Sequence, residues 1–80
     1  MKDNVALQKE RSTLEKADAD IEQACLRVEQ QRTILRMLEI RGHDMVDAAK
    51  LLETFLGTVE AMRLHRTAII HEIERFKEIR

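Results

Sequence analysis

Apolar side chains recur along this chain in alternating steps of three and four residues. Leu14, Ala17, Ile21, Ala24, Val28, Gln31, Leu35 and Leu38 follow that rule, as do Met45, Ala48, Leu52, Phe55, Val59, Met62, Arg66, Ile69, Ile73 and Phe76. A repeat of seven with two apolar positions predicts a helix that buries one narrow seam against another helix. In heptad lettering, Leu14, Ile21, Val28 and Leu35 are a positions, and Ala17, Ala24, Gln31 and Leu38 are d positions. In the first helix the bulk sits at a. In the second, Phe55, Met62, Ile69 and Phe76 carry much of it.

Between the two repeats stands Arg41-Gly42-His43-Asp44, where a stop signal for one helix meets a start signal for the next. Gly42 can take the left-handed conformation that ends a helix, and Arg41 places a cation at the negative end of the macrodipole. Asp44 can accept from the free N–H groups of the following helix, and Asp47 adds negative charge to its first turn. The expectation is one domain over residues 1–80, with a first helix at about 3–41, a turn at 41–44 and a second helix at about 45–79. The fold class is all-α: an antiparallel two-helix hairpin, coiled-coil-like. At about 1.5 Å per residue its length is roughly 50 Å. The start of the first helix has two readings. Ser12-Thr13-Leu14-Glu15 fits a capping box, whereas Leu7 lies in phase with the later repeat and favours a helix running through from Asp3.

Antiparallel pairing about the corner places residue i opposite residue j with i + j between 83 and 87, and the pattern does not select within that range. Two polar residues, Gln31 and Arg66, interrupt the seam. Arg66 falls opposite residues 18 to 21, so a contact with Asp18 or Asp20 is expected; it reads as an ion pair that fixes register, or as a polar layer that selects the partner helix.

More apolar residues lie outside the seam than a lone hairpin can cover: Cys25, Ile34, Met37, Ile40, Leu51, Leu56, Leu64, Ile70 and Ile79. Several gather toward the turn, where Ile34, Met37, Leu51 and Leu56, with Phe55 beside them, form a candidate interface. A second copy is the simplest closure and gives a homodimeric four-helix bundle. A helix of another protein on the same surface, as in a regulatory adaptor, is the alternative. Gly57 falls at an outward f position and softens the helix locally or admits a close backbone approach.

Composition agrees with long helices: 36% charged and 2% aromatic residues, with no Pro, Trp or Tyr, in 80 residues. With 44% hydrophobic residues placed periodically, a disordered chain is excluded. The net charge is −1, and residues 1–40 and 41–80 carry −1 and 0 respectively, so no basic surface for nucleic acid or anionic lipid is expected. Apolar runs are only a few residues long, which excludes a membrane span and a signal-peptide core and makes the cytoplasm the expected location. One cysteine, Cys25, excludes an internal disulfide and a cysteine-based zinc site. It reads as a small half-buried hydrophobe, or as an intersubunit disulfide if it faces its own copy.

Catalytic chemistry finds little support. His65 and His71 are six residues apart and point to different faces of a helix, and no Glu-x-x-His or His-Glu-x-x-His spacing is present. No metal or other cofactor is expected, and the chain reads as non-enzymatic. Arg27, Arg32, Arg36 and Arg41 are interleaved with Glu29 and Glu39, so they form a solvated face rather than a phosphate-binding strip.

His71-Glu72-Ile73 resembles the start of the phosphoacceptor box of sensor histidine kinases, whose dimerisation domain is also a helical hairpin. The likeness covers three residues. It implies a phosphorelay role for His71, but the continuation here is Glu74-Arg75-Phe76, and the box lies late in the second helix rather than in the first.

Ala17-Asp18-x-x-Ile21, Gly42-His43-Asp44 and Leu51-Leu52 together resemble short bacterial helical-hairpin proteins with an A-D-x-x-I segment and a G-H-D turn. That likeness spans roughly residues 14–60 and implies the hairpin fold, with no activity to carry over. Met45 replaces the Thr usual after G-H-D there, which moves the capping role to Asp44.

Overall fold

A computed structural model describes residues 2–78, with the side chains of residues 2–4 excluded. It contains two helices, α1 (Lys2–Ile40) and α2 (Val46–Glu78), packed antiparallel as a hairpin. The long axis measures 61 Å over a cross-section of 14 × 12 Å. The radius of gyration, 18.2 Å, far exceeds the roughly 12 Å of a compact globule of this length. The 39 residues of α1, at about 1.5 Å each, account for the length of the rod: the helix is continuous, runs through Ser12 without using the capping box and continues to Lys2. Thr13 Oγ1 instead donates to the Lys9 carbonyl at 2.9 Å, a bond between successive turns of an unbroken helix.

The corner is built as the chain's punctuation requires. Gly42 has φ of 73°, its N–H donates to the Glu39 carbonyl at 3.1 Å, and the His43 N–H donates to the Leu38 carbonyl at 2.9 Å. Those two bonds are the pair of a Schellman cap, with Gly42 at the left-handed position. Asp44 Oδ1 then accepts from the Val46 N–H at 2.9 Å and caps α2, with Asp47 in its first turn and Arg75 and Lys77 in its last. Charges at both ends of α2 therefore oppose the macrodipole.

Every seam position from Leu14 onward is buried or half-buried. Packing is tightest near mid-rod, where Ala24, Val28 and Val59 form a cluster flanked by Cys25, Leu52, Phe55 and Met62. Small Ala24 lies among larger side chains of α2, which lets the two helices approach without leaving a void. A second buried pair, Ile69 and Ile73, secures the far end. Gly57 sits within α2 with open space where a Cβ would be, so no close backbone approach within the hairpin accounts for it.

Both polar seam residues find partners. Gln31, only 5% exposed, donates from Nε2 to the Ala48 carbonyl across the seam at 2.9 Å. Arg66 Nε pairs with Asp18 Oδ1 rather than with Asp20, and both side chains remain partly in water. The pairing of 18 with 66 falls inside the register range set by the corner.

Candidate functional site

A helix in a two-stranded hairpin buries its a and d positions and leaves two flanks: one formed by c and g, the other by b and e. In an antiparallel pair the g positions of the two helices share a side, and so do the e positions. The grooves of this structure show that division. One, of about 420 Å³, is lined by Ala17, Asp20, Thr58, Ala61, Met62 and His65, and thus opens on the c/g flank near mid-rod. The other, of about 210 Å³, is lined by Cys25, Glu29, Arg32, Leu56 and Arg63 over the floor formed by Val28 and Val59, and opens on the b/e flank.

The candidate interface residues separate along the same line. Ile34, Met37 and Leu51 are 49%, 41% and 43% exposed and occupy g, c and g positions, so they share the c/g flank on the turn half of the rod. Leu56, 40% exposed, belongs to the b/e groove on the opposite flank. Phe55 is half-buried in the seam against the central cluster and serves the hairpin's own packing. The structure therefore brings together three of the five residues.

Charge follows the same division. Between Arg11 and Glu39, eight of the nine b and e positions of α1 are charged, with Cys25 the exception. Between Thr13 and Arg41, four of the nine c and g positions are charged; the others are Thr13, Gln23, Gln30, Ile34 and Met37. On α2 three of the nine c and g positions are charged, Asp47, Glu72 and Arg75, against five of the ten b and e positions, the other five being Val46, Ala49, Leu56, Thr67 and Ile70. The division of charge between the flanks is thus strong on α1 and weak on α2, where the b/e flank also exposes Val46 and Leu56. The mid-rod groove with Asp20, Thr58, Ala61 and His65 did not stand out in the linear pattern. Sorting positions by heptad letter on each side of the seam is the signal that finds it.

The remaining candidates stay apart. His43, His65 and His71 are all exposed, in the corner, at mid-rod and near the end of α2 respectively. Among the described residues no three His, Cys, Asp or Glu side chains come together as a metal site. Glu72, next to His71, pairs with Arg75 at 3.0 Å, and Ile73 is buried in the seam, so His71 stands on a structural turn with its neighbours engaged elsewhere. Cys25 is half-buried beside the central cluster. Among the described residues no helix is long and apolar enough to cross a membrane. Comparison with protein-family models, with curated proteins and with solved structures gives no match.

Proposed function

We propose that the chain is a non-enzymatic interaction module that completes its core by self-association, two hairpins forming a four-helix bundle. The observation that carries this reading is the thinness of the hairpin's own core. Among the described residues, five apolar side chains are buried, and no large side chain is fully enclosed. Two helices of this length order many backbone and side-chain rotors, and long helices in water depend on packing an apolar face. At the same time Ile34, Met37 and Leu51 stay in solvent on one flank, a cluster larger than isolated surface hydrophobes. A second copy covers that surface with no additional component.

Sedimentation equilibrium at about micromolar concentration tests the proposal, in the affinity range of standard interfaces. The expected mass is twice the 9.4 kDa of the chain. A monomer would overturn the homodimer and leave the same flank to a helix of another protein.

A further inference from the structure

We propose that the hairpin has a second, straightened state: the corner at 41–44 becomes helical and two full-length helices pair antiparallel, each copy's α1 lying on the other's α2. This state is separate from the side-by-side bundle proposed above. It needs no exposed flank, because the surface exchanged between the copies is the seam itself.

The seam pattern runs through the corner. In an unbroken helix its positions there are Leu35, Leu38, Gly42, Met45, Ala48 and Leu52, a three-and-four repeat with one extra step of three. An insertion of three is absorbed by local overwinding of the supercoil, so both halves of a straight helix keep their stripe toward one partner. No proline stands in the chain to prevent it. Register points the same way. Asp18 pairs with Arg66, and the residue midway between them along the chain is Gly42. The two-fold axis of the straightened pair therefore passes through Gly42, the one seam position without a side chain.

Only the corner separates the two states. Every tertiary contact among the described residues joins α1 to α2, so the central cluster, the Gln31 bond to Ala48 and the pair of Asp18 with Arg66 all re-form between chains. Arg41, Gly42, His43 and Asp44 are exposed, and the corner's hydrogen bonds are local: Gly42 N–H to Glu39, His43 N–H to Leu38 and Val46 N–H to Asp44. A straight helix replaces them with bonds one turn apart. Two things favour the hairpin. Gly42 is left-handed at φ of 73° and a poor helix former, and the linkage holds α2 beside its own α1 at an effective concentration of the order of millimolar. Short connections between packed elements are where such exchange arises.

Energy transfer within one full-length chain tests the proposal. Donor and acceptor are attached at Ser12→Cys and His71→Cys, both exposed and level across the seam, in a Cys25→Ala background. Labelled chain is diluted into excess unlabelled chain carrying the same corner residue and refolded from urea. The labels lie within about 30 Å in the hairpin, alone or bundled, and about 90 Å apart in a straight helix. Gly42→Ala both improves the helix and penalises the left-handed corner, which over two chains raises the straightened pair by about a thousandfold. Transfer in Gly42→Ala is expected to fall over a roughly hundredfold rise in concentration, with a mass twice 9.4 kDa. Gly42→Asn, which tolerates the left-handed corner, is expected to keep it. Transfer retained by Gly42→Ala across that range would overturn the straightened state while leaving the bundle intact. So would loss of helix content in Gly42→Ala by circular dichroism, since the straight form is no less helical than the hairpin. A monomeric unsubstituted chain would overturn the bundle and not the exchange, which Gly42→Ala reports by itself.

Discussion

Gln31 reaches across the seam and donates from Nε2 to the Ala48 carbonyl at 2.9 Å, which makes a buried amide the most specific link between the two helices. Apolar a and d layers can slide by a heptad and still pack. A side chain that must meet one carbonyl cannot. Gln31→Leu is therefore expected to hold or raise the unfolding midpoint, because a buried polar group is replaced by an apolar one of similar size, while the native state loses its single register. Amide NMR spectra would show doubled or broadened seam resonances. A sharp, single set of peaks would mean that the corner alone fixes register.

The Arg66 and Asp18 pair has a smaller role. Both groups keep contact with water, so the double-mutant cycle with Arg66→Ala and Asp18→Ala should give a coupling below about 1 kcal/mol that shrinks further at high salt. Urea unfolding in low and high salt measures it. A coupling of several kcal/mol would show that the pair is sealed from solvent by a further surface.

At the corner, Gly42 has φ of 73° and nothing near its Cβ position, so the cost of a side chain is one of backbone conformation and not of collision. Gly42→Val should destabilise by about 1–3 kcal/mol, and Gly42→Asn by much less, since Asn tolerates the left-handed region. Equal losses for both would place the penalty elsewhere. Asp44→Ala should cost about 1 kcal/mol through loss of the cap on Val46, measured by the same unfolding curves.

Gly57 gives the opposite expectation. It is exposed, helical and surrounded by open space, so Gly57→Ala should stabilise the protein by about 1 kcal/mol through backbone entropy and helix propensity. Because f positions point away from both flanks, its effect on dimer affinity should be small. Loss of affinity in Gly57→Ala would reveal a partner backbone at that site.

The hairpin was legible because three local signals agree: a strict three-and-four repeat, a left-handed glycine, and a capping aspartate directly after it. The register was legible only as a range, since Leu, Val and Met layers pack in several alignments; the hydrogen bond of Gln31 and the choice of Asp18 over Asp20 by Arg66 depend on three-dimensional reach. The surface was partly legible. Excess apolar residues near the turn are visible in the chain, but linear order places Leu51, Phe55 and Leu56 side by side, although the helix sends them to one flank, the seam and the other flank. The N-terminal stretch shows how propensity and pattern compete: Ser12-Thr13-Leu14-Glu15 has the letters of a helix start, yet nothing before it breaks a helix, and α1 continues to Lys2.

Thermal unfolding as a function of protein concentration tests the central claim most directly, because a fold completed by a second copy is stabilised by mass action. The midpoint is expected to rise steadily over a roughly hundredfold increase in concentration, by several degrees for a chain of this size. A midpoint independent of concentration over that range, with a sedimenting mass of 9.4 kDa, would contradict the account and make the single hairpin a self-sufficient fold.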